Sequence, residues 1–393
     1  MDWLQKELEK IESSNLLRKR LLREGLKDFC SNDYLALRDH PQVVEEAIRV
    51  LKDYGLGSGA SALVSGYTKY HKYLEESLAS FKKVPCCVLF GSGYLANLGT
   101  IQALVDEKDL ILSDQLNHAS IIDGCRISKA TVLIYKHRNY AHLEELLKSH
   151  RKNYRRCLIV SDTVFSMDGD IAHIPTLKKL SEAHDCMLYL DEAHATGVLG
   201  NSGGGGLEFF KEDWKDYIII MGTLSKALGS YGAFVCGSEN LCKFLINKAR
   251  SLIFSTSLPP CVCAGANKAL EIIQKEPWRI ERLKSLSEKL YNQIKEIGFE
   301  ISFYGTPILP IMVYEEARAM EIRDRLLEKG VFIQAIRYPT VPRGKARLRL
   351  TASLRYKEED IAFLLEALKS RYYCWWSSYY TTANIYTALC RSI

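Results

Sequence analysis

A lysine that directly follows an apolar run is the residue with the clearest chemical potential in this sequence. Lys226 stands among small residues just after the run Tyr217–Gly222. Partial removal from water lowers the pKa of a lysine and favours the neutral amine, which can form a Schiff base with an aldehyde. A lone lysine is usually a solvated surface residue, so this interpretation needs other residues that fit the same chemistry.

Other apolar runs are followed by polar or glycine-rich turns in the same way. Gly93 and Tyr94 lie in a glycine turn after Cys86–Phe90, where backbone N–H groups at a helix start would suit a phosphate. His118 follows the run Leu110–Leu112 and could stack on a flat ring or move protons. Three more residues stand beyond the ends of such runs: Ser166, Asp191 and His194. In open α/β sheets, ligands bind at these strand ends.

Together these residues meet the requirements of one cofactor, pyridoxal phosphate. That cofactor needs a phosphate cradle, a flat partner for its ring, a carboxylate at its ring nitrogen, a donor to its phenolic oxygen and a lysine at its aldehyde. The chain offers candidates for these roles in order: Gly93 with Tyr94, His118, Asp191, His194 and Lys226. Each position alone has an ordinary structural explanation, but the joint pattern favours a single cofactor site.

Two other site classes can be weighed against this one. The string Asp191-Glu192-Ala193-His194 matches the DEAH motif of helicases, but that function requires G-x-x-x-x-G-K-[ST] upstream, and the chain contains no such string. A metal site is not predicted, because no second His or Cys lies at ligand spacing from this segment.

The elements that must position these residues form an α/β pattern. Seven short apolar runs alternate with helical patterns: Cys86–Phe90, Leu110–Leu112, Thr131–Tyr135, Cys157–Ser161, Met187–Leu190, Tyr217–Gly222 and Ala233–Cys236. The runs are uninterrupted, as in parallel strands that are buried on both faces. We therefore predict a doubly wound α/β domain with a mostly parallel seven-stranded central sheet.

The pattern changes towards both ends of the chain. Residues 1–25 predict an amphipathic helix with a basic end, and the sequence after Pro277 predicts a smaller α+β domain with strands at Ile308–Val313, Val331–Ile336 and Arg347–Thr351. We place the domains as follows: an N-terminal helical arm at 1–34, a large α/β domain at 35–275, a small C-terminal α+β domain at 276–370 and an atypical aromatic tail at 371–393.

Composition is that of an ordinary globular protein. The 393 residues are 47% hydrophobic and 25% charged, with 53 Lys and Arg against 47 Asp and Glu, a net charge of +6. This excess suits small anions but is too diffuse to indicate nucleic acid. The sequence lacks an apolar run long enough for a transmembrane helix, so we expect no membrane partner. The 12 cysteines are scattered and form no C-x-x-C, which predicts a reducing cytoplasm.

The motifs resemble those of the α-oxoamine synthases, a family of fold-type I pyridoxal-phosphate enzymes, over residues 2–370. The matching segments are Ser31-Asn32-Asp33-Tyr34-Leu35, Gly57-Ser58-Gly59-Ala60-Ser61, Asn117-His118-Ala119-Ser120, Val164-Phe165-Ser166-Met167-Asp168-Gly169, Asp191-Glu192-Ala193-His194-Ala195-Thr196-Gly197 and Thr223-Leu224-Ser225-Lys226. Two further segments, Phe254–Pro260 and Ala335–Pro342, resemble the branch that condenses L-alanine with a pimeloyl thioester in biotin biosynthesis.

The resemblance implies a role for each matching residue. Lys226 would carry the cofactor and exchange the proton at the α-carbon, Asp191 would pair with the ring nitrogen, and His118 would stack on the ring. His194 and Ser166 would hold the phenolic oxygen. The phosphate would be held by Gly93, Tyr94 and Thr223, with Ser255 or Thr256 from a partner subunit. The residues implied on the substrate side are Arg349 for the amino-acid carboxylate, Arg18, Arg337 and Thr340 for the acyl substrate, and Asn32.

The activity implied is a decarboxylating acyl transfer. L-alanine and pimeloyl-CoA, or the same acyl group on a carrier protein, would give 8-amino-7-oxononanoate, the free thiol and CO₂. A homodimer with a shared active site is implied as well. The alternatives are a sister synthase that uses glycine with acetyl- or succinyl-CoA, a non-catalytic family subunit, which the presence of Lys226 disfavours, and the DEAH-type ATPase.

Overall fold

The computed structural model describes residues 2–14 and 16–369. The strands are β1 (Lys27–Asp28), β2 (Cys86–Phe90), β3 (Leu110–Asp114), β4 (Thr131–Tyr135), β5 (Cys157–Asp162), β6 (Met187–Asp191), β7 (Ile218–Thr223), β8 (Ala233–Gly237), β9 (Ile308–Tyr314), β10 (Val331–Phe332), β11 (Gln334–Ile336) and β12 (Ala346–Thr351).

The α-helices are α1 (Asp2–Ser13), α2 (Pro41–Tyr54), α3 (Lys69–Lys82), α4 (Gly93–Leu104), α5 (Ala119–Ile127), α6 (Tyr140–His150), α7 (Ile174–Ala183), α8 (Gly206–Phe210), α9 (Glu239–Lys248), α10 (Arg250–Ile253), α11 (Pro260–Lys275), α12 (Trp278–Glu296), α13 (Glu316–Glu328) and α14 (Glu358–Lys369). A π-helical turn lies at Ala62–Gly66 and a 3₁₀ turn at Arg151–Asn153.

The chain divides into two compact units, which we call the large unit and the small unit. The large unit spans residues 32–284, and the small unit combines the described residues before position 32 with residues 285–369. The division falls inside α12, and it groups the N-terminal segment with the C-terminal elements. Sequence order alone did not indicate this grouping, because it depends on contacts between residues some 300 positions apart, such as β1 with β10.

The large unit is built on the seven-stranded sheet that the sequence predicts. Its strand order is β2-β8-β7-β6-β5-β3-β4. All neighbours are parallel except β8, which is antiparallel to both β2 and β7. The reversal follows from loop length: only residues 224–232 separate β7 from β8, and a parallel crossover needs about a dozen residues or more.

The central strands explain why the apolar runs are uninterrupted. Every residue of β5 and β7 is buried, because helices cover both faces of the sheet. Gly222 of β7 lies opposite Phe234 of β8, and a Cβ at Gly222 would lie 2.3 Å from the Phe234 ring. A side chain at position 222 would therefore force the ring out of the sheet face. Polar residues end these strands: Asp162 on β5, Asp191 on β6 and Thr223 on β7.

The small unit contains a three-stranded antiparallel sheet of order β11-β12-β9 and the parallel pair β1-β10. The strand predicted at Val331–Ile336 is divided between these two sheets. Val331 pairs with Lys27 of β1, whereas Gln334 pairs with Arg349 of β12. The chain changes partner at Ile333, which is buried between the two short strands.

The helix predicted over 1–25 is shorter in the structure, since α1 ends at Ser13. The Ser13 hydroxyl donates to the Lys10 carbonyl at 3.0 Å, a local bond that competes with further helix growth. The predicted tail at 371–393 lies outside the described residues. Among the described helices, none is long and apolar enough to cross a membrane.

Candidate active site

The polar ends of three adjacent strands define the candidate site in the large unit. Asp162 and Asp191 are register partners on β5 and β6, and Thr223 ends β7 beside them. The Thr163 N–H donates to the Asp191 carbonyl at 2.8 Å, which fixes the point where the chain leaves the sheet. The segments that carry Ser166, His194 and Lys226 begin at these strand ends.

Lys226 contacts His194, which agrees with the prediction that both residues bind the same cofactor. The Lys226 Nζ lies 2.8 Å from His194 Nε2, and the other ring nitrogen, Nδ1, lies 2.7 Å from the Tyr34 hydroxyl. The Tyr34 hydroxyl also donates to Asn32 Oδ1 at 3.1 Å. Tyr34 is completely buried and His194 nearly so, so the contact between them is shielded from water, whereas Asn32 and Lys226 are partly exposed. The structure thus connects Asn32, a predicted substrate residue, to the lysine.

Asp191 and His118 are joined by a second buried network centred on Asn97. The Asn97 amide donates to Asp191 Oδ2 and to the Ser120 hydroxyl, both at 2.8 Å, and its Oδ1 accepts from the Tyr189 hydroxyl at 2.8 Å. The Ser120 hydroxyl lies 2.7 Å from His118 Nδ1. The other Asp191 oxygen accepts the Ala193 N–H at 2.8 Å. These two donors fix the orientation of the buried Asp191 carboxylate.

His118 lies at the N-terminus of α5, and its backbone N–H donates to Asp162 Oδ2 at 2.8 Å. The pKa of His118 is lowered, because partial removal from water disfavours the charged ring; the Lys226 charge adds to this effect, whereas Asp191 opposes it. The pKa of Asp162 is raised well above its ordinary value by burial and by the neighbouring Asp191. A neutral His118 ring is suited to stacking and to proton exchange.

The predicted phosphate residues meet at the start of α4. A Cβ placed on Gly93 would lie 4.0 Å from the Thr223 Cβ, so the two residues are adjacent. The Ser92 hydroxyl caps the helix by accepting the Leu95 N–H at 3.2 Å. Tyr94 is 44% exposed, and its hydroxyl donates to Asp123 on α5. The start of α4 thus lies beside Thr223, whose hydroxyl donates to the Gly232 carbonyl at 2.9 Å. The N-terminal N–H groups of α4 are suited to an anion.

Ser166 lies half-buried in a turn that begins beyond β5. Val164 and Ile171 pair across the base of this turn. The His137 ring supports it, since Nε2 lies 2.8 Å from Asp170 and Nδ1 lies 2.8 Å from Asp114 at the end of β3. Burial lowers the pKa of His137, but the hydrogen bonds to Asp114 and Asp170 raise it more, to about 9. The imidazolium therefore bridges two carboxylates and fixes the turn.

Ser255 and Thr256 lie on a segment paired with the glycine-rich loop near residue 60. Thr256 forms a bridge with Ser61, and the Ser58 hydroxyl donates to the Ser257 carbonyl at 2.7 Å. Exposed apolar side chains lie in the same region, including Phe254 (70% exposed) and Val64 (78%). The role implied for Ser255 and Thr256 in a partner's site stays a prediction.

Four of the predicted substrate residues lie in the small unit. The Arg18 guanidinium donates to the Thr340 hydroxyl at 3.3 Å, and the Arg337 guanidinium donates to the Leu17 carbonyl at 2.7 Å. Burial lowers the pKa of Arg337, and the positive charges of Arg323 and Arg18 act in the same direction. Arg349 lies buried on β12. The structure brings Arg18, Arg337 and Thr340 together, as one acyl-binding region requires.

Sequence reasoning missed the residues that hold the catalytic candidates in place. Tyr34 stands inside the segment Ser31-Asn32-Asp33-Tyr34-Leu35, and Asn97 follows the glycine turn of Gly93 and Tyr94. Their side-chain partners are 160 and 94 residues away. Lys82 was missed as well: it forms a completely buried ion pair with Glu192 and donates to the Thr196 hydroxyl and the Gly204 carbonyl, both at 2.8 Å. This pair anchors the loop directly after Asp191.

The comparison with protein families agrees with this geometry. Residues 25–368 match the family model described as aminotransferase class I and II. The chain belongs to this family. The resemblance to α-oxoamine synthases of fold-type I, and the fold class it implied, are confirmed.

Similar proteins narrow the family further. A relative from Aquifex aeolicus, provisionally named 8-amino-7-oxononanoate synthase, is 62% identical over 94% of this chain and 98% of its own. The 8-amino-7-oxononanoate synthase of Symbiobacterium thermophilum is 44% identical over 93% of each chain. Among solved structures, a serine palmitoyltransferase from S. paucimobilis with bound PLP–myriocin matches with a TM-score of 0.87 and 26% identity over 94% of this chain and 96% of that one.

The 8-amino-7-oxononanoate synthase of Francisella tularensis matches with a TM-score of 0.75 and 29% identity over 88% of this chain and 97% of that one. The predicted enzyme class is confirmed by these relatives: the family member described here is an acyltransferase. The helicase alternative is thereby excluded.

Proposed function

We propose that the chain catalyses the decarboxylating condensation of L-alanine with a pimeloyl thioester. The products are 8-amino-7-oxononanoate, CO₂ and the free thiol. The observation that carries the proposal is the contact of Lys226 with His194 beside a buried, doubly hydrogen-bonded Asp191. The names of the similar synthases from Symbiobacterium and Francisella support the choice of substrates.

The cofactor is pyridoxal phosphate, and the residues present fit it. Lys226 offers an amine, Asp191 a carboxylate for a protonated ring nitrogen, and the start of α4 beside Thr223 offers backbone donors for a phosphate. Among the described residues outside its own helix backbone and chain neighbours, the nearest atoms to a Cβ placed on Gly93 lie 4.0 Å away, which leaves room for a phosphate. When bound, the cofactor supplies an electron sink for the charge that develops at the α-carbon of the amino acid.

The residues of the chain then have separate tasks. Asp191 is held in position by the Asn97 amide and the Ala193 N–H, and Lys226 takes the proton from the α-carbon and returns it later. His118 would pack against the ring and would donate to the acyl oxygen as negative charge develops there. His194 and Ser166 orient the phenolic oxygen.

The substrate roles follow from the family resemblance. Arg349 would orient the carboxylate of alanine through a bidentate guanidinium contact. Asn32 is a further polar residue proposed for substrate binding. Arg18, Arg337 and Thr340 face the acyl substrate, whose distal carboxylate and CoA phosphates are anionic. The mutual proximity of Arg18 and Thr340 and the positive charges of Arg18 and Arg323 near Arg337 support this assignment.

The test measures product and thiol release from purified protein supplied with cofactor. L-alanine with pimeloyl-CoA is expected to give 8-amino-7-oxononanoate by mass spectrometry, with one free thiol per product. The variant Lys226→Ala should lose product formation and the visible absorbance of the bound cofactor. Exposed Lys215→Ala is the matched control and should keep both. Turnover only with glycine and acetyl- or succinyl-CoA would refute the proposal in favour of a sister synthase.

We also propose that the active enzyme is a homodimer in the cytoplasm. The exposed apolar side chains beside Ser255 and Thr256 support a partner surface there, and the ten described cysteines are all free. Two inactive variants, Lys226→Ala and the double variant Ser255→Ala/Thr256→Ala, should regain about a quarter of the activity when refolded together, since hybrid dimers contain one intact site. No recovery in demonstrably mixed dimers would contradict a shared site.

A further inference from the structure

Tyr34 contacts His194, a side chain that links Lys226 to the buried interior. Its hydroxyl lies 2.7 Å from His194 Nδ1, and it donates to Asn32 Oδ1 at 3.1 Å. The opposite ring nitrogen of His194 lies 2.8 Å from Lys226 Nζ. Four groups from three separate segments of the large unit therefore form one continuous line of hydrogen bonds.

The two ends of this line fix its direction. A lysine ammonium has only donors, and the carboxamide oxygen of an asparagine has only acceptor capacity. The Tyr34 hydroxyl donates its single proton to Asn32 Oδ1, so the hydroxyl oxygen accepts a hydrogen bond from His194 Nδ1. His194 must then carry its proton on Nδ1, which leaves the lone pair of Nε2 directed at the lysine amine.

We infer that Tyr34 is a positioning residue that holds His194 as the Nδ1-protonated tautomer and thereby makes Nε2 the proton acceptor for Lys226. In this step the Nζ–H bond of the ammonium breaks and an Nε2–H bond forms on His194. The lysine becomes a neutral amine, the imidazole becomes an imidazolium, and the total charge of the pair stays +1. The reverse transfer returns the proton from Nε2 to the amine.

The surroundings of the line favour this role. Tyr34 is completely buried and His194 is 6% exposed, so bulk water does not compete for the imidazole nitrogens. A neutral amine is the form that can add to an aldehyde or remove a proton. The inference rests on the proposed function only in assigning Lys226 as the reactive amine of the site.

The first test reads the tautomer directly. Side-chain ¹⁵N spectra of histidine-labelled full-length protein, with His194→Gln used to assign the signal, should show the His194 proton on Nδ1. Tyr34→Phe keeps the ring but removes the acceptor, so the proton should move to Nε2. The matched control is Tyr135→Phe, which removes the hydroxyl of an equally buried tyrosine outside this line and should leave the His194 signal unchanged.

A second test varies the far end of the line and measures cofactor capture. Asn32→Asp retains an acceptor oxygen and should keep the Nδ1 tautomer, whereas Asn32→Ala should lose it because the Tyr34 hydroxyl can turn and donate to His194. Capture of added pyridoxal phosphate by Lys226 at neutral pH, followed by absorbance, should slow at least fivefold in Tyr34→Phe and remain normal in Tyr135→Phe.

Several results would overturn the inference. Finding His194 protonated on Nε2 in the cofactor-free wild-type protein would overturn the inference. This result needs no variant, so it holds even if Tyr34→Phe fails to fold. An unchanged His194 tautomer in a folded Tyr34→Phe protein would also overturn the inference. These outcomes leave the proposed function intact, because they concern a proton position rather than turnover. Conversely, a protein whose His194 is protonated on Nδ1 but which forms no product from alanine would refute the proposed function and leave this inference intact.

Discussion

His137 provides the sharpest prediction about stability, because its ring lies between two buried carboxylates. Its nitrogens lie 2.8 Å from Asp114 and 2.8 Å from Asp170, and both carboxylates are nearly inaccessible to water. Removing the ring by His137→Gln leaves the Asp114 charge with backbone donors and the Asp170 charge with Arg138 at 3.1 Å. We expect the variant to be less stable at and below neutral pH.

The magnitude follows from the pKa. The pKa of His137 is raised from 6.5 to about 9, since the bonds to Asp114 and Asp170 outweigh burial, the largest single influence, which acts in the opposite direction. A shift of this size corresponds to about 3 kcal/mol of unfolding free energy. The ring is 23% exposed, so we reduce the expected value to about 2 kcal/mol for screening by solvent.

The sign of the pH dependence is fixed by the same shift. The folded protein holds the proton more tightly than the unfolded chain, so the stabilisation is complete below pH 6.5 and is lost as the pH rises through about 9. The difference in unfolding free energy between wild type and His137→Gln should therefore shrink by about 2 kcal/mol between pH 6 and pH 9.5.

Urea unfolding at several pH values, followed by circular dichroism, measures this difference. His173→Gln is the matched control, because His173 is exposed and its ring is bonded to the Thr176 hydroxyl at 2.8 Å. The unfolding free energy of His173→Gln should differ from that of wild type by a constant amount between pH 6 and pH 9.5. A gap between wild type and His137→Gln that stays constant from pH 6 to 9.5 would refute the argument that His137 is an imidazolium in the folded protein.

Three further predictions concern the buried pair, the carboxylate and the substrate arginine. Lys82→Met leaves Glu192 buried without its cation and should lower the unfolding free energy by about 3 to 5 kcal/mol in chemical denaturation. The control Lys72→Met, at an exposed pair with Glu76, should change the unfolding free energy by less than about 1 kcal/mol. Equal effects of the two variants would show that the Lys82 pair is not buried. Asp191→Asn keeps the size of the side chain but removes its charge, so kcat should fall about 100-fold or more while cofactor absorbance remains, and unchanged kcat would exclude the proposed role. Arg349→Lys loses bidentate geometry and should raise the KM for alanine about tenfold with little change for the acyl substrate; the reverse pattern would place Arg349 on the acyl side.

The sequence determined the strands and the residues at their ends. Buried parallel strands must be apolar on both faces, so the seven runs identified the central sheet, and the polar residues that follow them, such as Asp191 and Lys226, lie at the same edge of that sheet. Both signals are local, because a strand end and the turn that follows it are adjacent in the chain. The family motifs carried the same information.

Only the tertiary structure decided which side chains support that site. Tyr34, Asn97, His137 and Lys82 act through partners 160, 94, 23 and 110 residues away, and nothing in the local pattern of charge or hydropathy selects those partners. The division of Val331–Ile336 between two sheets also depended on distant strands. Helices and strands follow from residues near in sequence, whereas a buried polar group finds its partner only when the packed chain brings the two together.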